Sequence, residues 1–145
     1  VLGGFLDTKG KGATMLMLGA IIMIACHLSF AFLLPVYPQK WFALLLIVVL
    51  GVSFSLVPAA LWPSVPKIID PVILGSAYSL IFWIQNVGLC FVPLIIGNAL
   101  KATGGYTVPM IIFASFGIVA FFMSLLLKVE DKKKGYGLEL PNIKK

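Results

Sequence analysis

The stretch that decides the fold is WFALLLIVVLGVSFSLVPAALW, residues 41–62, which holds no charged side chain over 22 consecutive positions. A helix rises about 1.5 Å per residue, so a run of this length covers the roughly 30 Å hydrocarbon core of a bilayer. Lipid offers no hydrogen-bond partner to exposed peptide groups, and a helix satisfies them internally. The stretch therefore predicts a transmembrane helix.

Three further apolar runs lie on either side of it, at residues 13–34, 74–100 and 107–127. In chain order the four runs are named segments A to D. The 145 residues are 61% hydrophobic and 11% charged, with a mean hydropathy of +1.09. Soluble domains are typically about 45–50% apolar and about 25% charged. The sequence predicts an all-α, polytopic membrane protein with four transmembrane helices and the lipid bilayer as its partner.

The rest of the chain divides around these spans. Residues 1–12 form a predicted loop, residues 13–127 hold the four helices, and residues 128–145 form a tail without apolar period that we expect to be disordered. We expect a link from Pro63 to Ile73, and a kink at Pro93, which lacks a backbone donor. The first residue, Val1, falls within a pattern already under way, so we interpret the chain as a fragment of a longer one.

Lysine distribution predicts the orientation. All eleven basic residues are Lys, and the net charge of +6 reflects membrane topology rather than binding to nucleic acid. Positive residues concentrate on the cytoplasmic side of membrane proteins. With four spans, only Lys40 and Lys101 lie on one side of the membrane. The other, lysine-rich side holds both ends of the chain and is therefore predicted to be cytoplasmic. The nine on the other side are Lys9, Lys11, Lys67, Lys128, Lys132, Lys133, Lys134, Lys144 and Lys145.

No Asp, Glu, Lys or Arg lies within segments A to D. His27 is therefore the one candidate there for an ionisable site, and we favour a packed, neutral imidazole bonded to a backbone carbonyl. Cys26 and Cys90 stand alone in apolar runs and show no metal-binding spacing. We expect no enzyme activity, no catalytic residue, no metal and no cofactor.

Segment C carries a polar pattern near the middle of the membrane. Tyr78 and Gln85 are seven residues apart, as are Ser79 and Asn86, so each pair lies on one stripe of the helix. An unpaired amide in lipid costs several kcal/mol, so Gln85 and Asn86 must face protein or water. Two interpretations stay open: a stripe that contacts substrate, and hydrogen bonds between helices.

Segment B has Gly51, Ser55, Pro58 and Trp62 at helical spacing. Small residues permit close helix packing, and the same face is compatible with gating; close packing is the favoured interpretation.

The sequence GGFLDTKGK at residues 3–11 fits the pattern G-x-x-x-D-x-x-G-[K/R], immediately before a span on the lysine-rich side. Glycines permit a tight turn, and an Asp can bond to a helix N-terminus.

This motif resembles the loop signature of the major facilitator superfamily, which follows the second helix and, in weaker form, the eighth. The sequence departs from it at Thr8 and Gly12, where basic residues are common. Four spans and a charged tail follow the motif. The resemblance implies that segments A to D are helices nine to twelve of a twelve-helix fold, and that an N-terminal half of the same chain is missing.

Segments B and C are similar to the branch of major facilitator superfamily domain-containing protein 1. The likeness rests on LWP at 61–63, LGSAY at 74–78, IQNVGL at 84–89 and IIG at 95–97. Animal members of that branch export dipeptides from lysosomes with a glycoprotein partner. The resemblance implies alternating access around a central cavity. It implies cavity residues Gln85, Asn86, Tyr78, Ser79, Ser55 and Trp62, and a gating loop with Gly3, Asp7, Gly10 and Lys11.

The sequence thus predicts part of a secondary carrier for a small organic solute, with dipeptides as one candidate. Carriers of sugar phosphates or drugs from the same superfamily are an alternative. A complete four-helix scaffold or multidrug exporter is another, although such exporters need a carboxylate within the membrane. Residues 136–139 carry no tyrosine-based sorting signal. This favours a bacterial plasma membrane, with the lysosomal membrane as alternative and a glycoprotein partner only there.

Overall fold

The computed structural model describes residues 8–141, which form four long helices joined by short links. Helix α1 spans Gly12–Val36, α2 Lys40–Ile68, α3 Leu74–Thr103 and α4 Thr107–Lys134. Each is long and apolar enough to cross a bilayer. A 3₁₀ turn, Pro71–Ile73, precedes α3, and the Asp70 carboxylate accepts a hydrogen bond from the Val72 amide there. The predicted all-α fold with four spans is confirmed.

Helix α2 continues through most of the link predicted at Pro63–Ile73. It contains Pro58, Pro63 and Pro66, and it ends only at Ile68. A proline inside a helix removes one hydrogen bond but leaves its own φ angle near the helical value. The free-energy cost is lower when another group donates a hydrogen bond to the carbonyl that the proline leaves unpaired. A side chain of α3 does so for α2. The proline-rich segment therefore extends the helix instead of ending it.

Helix α1 changes its winding near its end. A π-helical turn, Ser29–Leu33, interrupts it just before Pro35, and the Ser29 hydroxyl donates to the Ala25 carbonyl at 2.7 Å. Single π turns inside helices are uncommon and often occur near functional sites. Here the turn lies immediately after His27, and the sequence analysis did not predict it.

The core lies where α1 packs between α2 and α4. Ser53 on α2 is fully buried, and its hydroxyl donates to the Gly19 carbonyl of α1 at 2.6 Å. On the other side of α1, a Cβ atom on Gly117 of α4 would lie 2.7 Å from Cγ1 of Ile24. Small residues thus bring the three backbones close together, as expected for membrane helices.

Within residues 8–141, the Gly51 face of α2 makes no close helix contact at Gly51 or Ser55, so its favoured close-packing role stays a prediction. A Cβ atom on Gly51 would meet nothing within 4 Å, and Ser55 is exposed. Most buried side chains of α2 lie on the opposite face, among them Ser53, Leu56, Ala60 and Ser64. Both faces carry small residues at helical spacing, and the contact with α1 selects between them.

Helix α3 stands apart from this core. No residue of α3 is buried, and large apolar side chains such as Leu80, Trp83 and Leu94 are exposed. Such surfaces are stable only against lipid or further protein.

The structure describes the segment after α4 through Pro141, which lies within the tail for which the composition predicts disorder. Gly135 ends α4 with a φ angle of 70°, which turns the chain back towards α1. Leu138 is only 1% exposed, and the amides of Lys11 and Gly12 donate to the carbonyls of Glu139 and Leu138, each at 3.0 Å. Burial of the Leu138 side chain anchors the segment, and a short polar stretch with few apolar residues gives no helical periodicity that would signal this contact.

Short links force neighbouring helices to run antiparallel, so the two ends of the described chain lie on one side of the membrane. With Cys26 and Cys90 replaced by Ala and the full-length protein directed to the plasma membrane, an impermeant maleimide applied to sealed cells should label Gln39→Cys and Thr103→Cys. Both positions are exposed next to links on the lysine-poor side. The reagent should miss Lys67→Cys and Lys133→Cys until the membrane is permeabilised. Labelling of Lys133→Cys in sealed cells would contradict the predicted orientation.

Candidate functional site

An apolar cleft of about 730 Å³ opens between α2, α3 and α4. Phe54 of α2 and Phe113 of α4 form two of its walls. The third wall is α3, with Gln85, Val92 and Ile96 among the lining residues. Clefts of this size and apolar character are typical of sites for small molecules.

Gln85 is the polar side chain that faces this cleft. Within residues 8–141 the structure gives its amide no hydrogen-bond partner, in a span without charged residues. An amide has two donors and an acceptor, and leaving them unmatched in an apolar environment is costly. The Gln85 side chain is exposed at this cleft, so its amide is accessible to a group that enters the cleft.

The neighbouring polar residues do not converge on Gln85. Asn86 donates through Nδ2 to the Phe82 carbonyl at 2.8 Å, and the Ser79 hydroxyl donates to the Gly75 carbonyl at 2.9 Å. Ser55 likewise bonds within its own helix, to the Gly51 carbonyl at 2.9 Å. Consecutive helical residues are about 100° apart, so Gln85 and Asn86 face different directions.

Tyr78 and Trp62 form the main polar contact between α2 and α3. The Tyr78 hydroxyl donates to the Trp62 carbonyl at 3.2 Å, and the Trp62 ring packs against Tyr78 and Phe82 at centroid distances of 5.6 and 5.0 Å. The amide of residue 66 would normally bond the Trp62 carbonyl, but Pro66 has none. The freed carbonyl therefore receives the hydroxyl of α3.

His27 has the packed environment that the sequence analysis favoured. It is 9% exposed, its Nδ1–H donates to the Met23 carbonyl at 2.8 Å, and its ring lies 5.3 Å from that of Phe113. One ring nitrogen is thus committed to its own helix. The packing and the hydrogen bond agree with the favoured interpretation, and a purely structural role for His27 stays a prediction.

Of the motif loop, the structure describes Gly10 and Lys11, while Gly3 and Asp7 lie outside the described residues. Gly10 and Lys11 have φ angles of 72° and 64° and lead directly into α1. Both contact the segment after α4 rather than the cleft. A gating role for this loop stays a prediction.

Charges lie at the lysine-rich end of the helices. Glu130 and Lys134 form an exposed ion pair at 3.0 Å, and the hydrogen bond from Lys134, with its positive charge, lowers the pKa of the Glu130 carboxyl below its usual value. Residues 8–141 contain no cluster of three His, Cys, Asp or Glu side chains that could hold a metal ion.

Three residues that matter here were missed from the sequence. Phe54 and Phe113 wall the cleft, and Ser53 joins α1 to α2. Aromatic residues occur throughout all four spans, so their type alone does not single out the two at the cleft. Ser53 follows the spacing of Leu46, Leu56 and Ala60, and that spacing is the signal that could have identified it.

Four helices long and apolar enough to span a bilayer define the chain as an integral, multi-pass membrane protein. Comparison with known proteins narrows the class. The lysosomal dipeptide transporter MFSD1 of Danio rerio is 33% identical over 140 residues, covering 97% of this chain and 29% of that protein. MFSD1 of Bos taurus is 30% identical over 93% of the chain, and MFSD1 of Homo sapiens 29% identical over 95%; the match covers 28% of each protein.

The chain is similar, over nearly its whole length, to transporters named MFSD1. It spans a little over a quarter of the length of these relatives. No family model and no solved structure matches the chain.

Proposed function

We propose that the chain supplies part of the solute pathway of a secondary transporter for short peptides, corresponding to helices nine to twelve of a twelve-helix carrier. The observation that carries this proposal is that the amide of Gln85, which has no partner among residues 8–141, lines an apolar cleft between three helices. A peptide group has one donor and one acceptor, which a glutamine side chain can match together. Phe54 and Phe113 would contact apolar side chains of the solute.

Because the four spans contain no charged residues, we propose that different parts of the carrier bind different groups of the solute. A dipeptide carries an ammonium and a carboxylate group, and each needs a partner inside the membrane. The spans described here offer none, so the remainder of the transporter would bind the charged ends. Alternating access would move that remainder against the present helices.

Two residues of the predicted site take a different role in this proposal. Tyr78 and Trp62 hold α3 against α2, and so they position Gln85 instead of contacting the solute. Asn86, Ser79 and Ser55 remain cavity candidates, with weaker support because each bonds a carbonyl of its own helix.

The same similarity supports a lysosomal membrane as the location. The names of the relatives include the lysosome, and nothing in the comparisons favours the bacterial plasma membrane that the tail had suggested. Fluorescence microscopy of the tagged full-length protein against a lysosomal marker would test the location separately from transport.

Purified full-length protein in proteoliposomes should take up a radiolabelled dipeptide with saturable kinetics. Unlabelled dipeptides should compete with this uptake, whereas free amino acids and sugar phosphates should not. Empty liposomes provide the control for leakage. Uptake of a sugar phosphate without uptake of any dipeptide would overturn the proposed substrate class and leave the membrane fold unaffected.

A further inference from the structure

The segment after α4 folds back over the ends of three helices. Residues 135–141 leave α4, pass the N-terminus of α1 and reach the end of α2. We call residues 137–140 the clasp. Its partners are Lys11, Gly12 and Thr14 on the α1 side, Lys67 on α2, and Asp131 on α4.

At α1 the clasp acts as the missing cap. The first amides of a helix have no partner within the helix, and Lys11 at the cap position offers no side-chain acceptor. Glu139 takes that role: its Oε1 accepts from the Thr14 amide at 2.9 Å, and its Oε2 accepts from the Thr14 hydroxyl at 2.8 Å. A carboxylate is also favourable beside the positive end of the helix dipole.

Lys128 connects this cap to α4. Its Nζ donates to Oγ1 of Thr14 at 2.6 Å, while the Thr14 hydroxyl donates to Glu139. The three side chains form a continuous chain from α4 through α1 to the clasp. Hydrogen bonds with a charged partner are roughly twice as strong as neutral ones.

Two further charged groups fix the clasp at its other edges. Lys67 of α2 donates to the carbonyls of Gly137 and Leu140 at 3.1 and 3.0 Å. Asp131 of α4 is 6% exposed and accepts from the Leu138 amide at 3.0 Å. Leu138 is buried between these contacts.

We propose that the clasp holds the lysine-rich ends of α1, α2 and α4 as one rigid unit that does not include α3. Within residues 8–141, no hydrogen bond joins the clasp to α3, and α3 has no buried residue. Glu139 is the positioning residue of this device because it bonds α1 through both of its carboxylate oxygens. The inference concerns the fold and holds whatever solute the carrier moves.

Cysteine reactivity in the full-length protein tests the clasp directly. With Cys26 and Cys90 replaced by Ala, Leu138→Cys and Leu140→Cys report two neighbouring positions that are 1% and 63% exposed. In permeabilised membranes, maleimide should react with Leu138→Cys at least about tenfold more slowly. Adding Glu139→Ala should speed labelling of Leu138→Cys by about tenfold or more, since charge-assisted bonds are lost. Glu130→Ala removes an exposed acid that bonds only Lys134, and it should leave the rate unchanged.

Hydrogen exchange gives a second measurement that needs no cysteine. Peptides that contain the amides of Lys11, Gly12 and Leu138 should be protected in the unmodified protein and lose protection in Glu139→Ala. Equal labelling of Leu138→Cys and Leu140→Cys, with rapid exchange of these amides, would overturn the clasp. Protection that persists in Glu139→Ala would overturn the role of Glu139.

Discussion

Replacing Gln85 with Leu in the full-length carrier should raise the KM for its solute by about five- to two-hundredfold. This range corresponds to about 1–3 kcal/mol, the cost of leaving a buried polar group of the solute without its partner. Leu keeps the apolar bulk of the side chain but removes the donors and the acceptor. Gln85 bonds no other described residue, so the loss falls on solute binding rather than on helix packing.

Asn86→Leu is the matched control, because it removes the same chemical group one position along the helix. The Asn86 amide already bonds the Phe82 carbonyl and points away from Gln85, so its change in KM should be smaller. His27→Leu removes a packed imidazole and should lower thermal stability while KM stays the same. Uptake kinetics in proteoliposomes, normalised to protein amount, provide the measurement. A normal KM in Gln85→Leu beside a raised KM in Asn86→Leu would reverse this ranking.

The four helices were predictable because lipid leaves the backbone no alternative. A run such as residues 41–62 has to satisfy every peptide group within itself, and that requirement does not depend on the neighbours of the helix. The continuation of α2 through Pro63 and Pro66 was not predictable in this way. It depends on the Tyr78 hydroxyl reaching the Trp62 carbonyl, a contact between two separate helices.

The candidate site shows the same limit. Sequence spacing placed Tyr78 with Gln85 and Ser79 with Asn86, and the structure keeps both stripes. Sequence spacing alone does not predict which stripe faces α2 and α4, because that depends on how the helices pack against one another. Glu139 and Thr14 are an extreme case, since their contact joins residues 125 positions apart and neither residue type signals it. The disorder predicted for residues 128–145 was inferred from composition, and composition gives no information about such a contact.

Gly10 of the motif loop lies directly against the backbone of the clasp. Gly10 has a φ angle of 72°, and a Cβ atom there would lie 2.5 Å from the Glu139 carbonyl oxygen and 2.7 Å from the Pro141 nitrogen. These are backbone atoms, which no side-chain rotation can move away. Ordinary contact distances between carbon and its neighbours are about 3.5 Å or more. Any side chain at this position must therefore push the clasp off the end of α1.

Gly10→Ala should release the clasp completely. Alanine in the left-handed region costs roughly 1–2 kcal/mol, and the collision with the Glu139 backbone adds to that cost. Leu138→Cys should then react with maleimide as fast as Leu140→Cys, a larger acceleration than Glu139→Ala produces. Gly104→Ala is the matched control: its φ angle is 65° and its Cβ would meet nothing within 4 Å, so it adds strain at the end of α3 without touching the clasp. Slow labelling of Leu138→Cys in Gly10→Ala would show that the motif glycine and the segment after α4 do not meet.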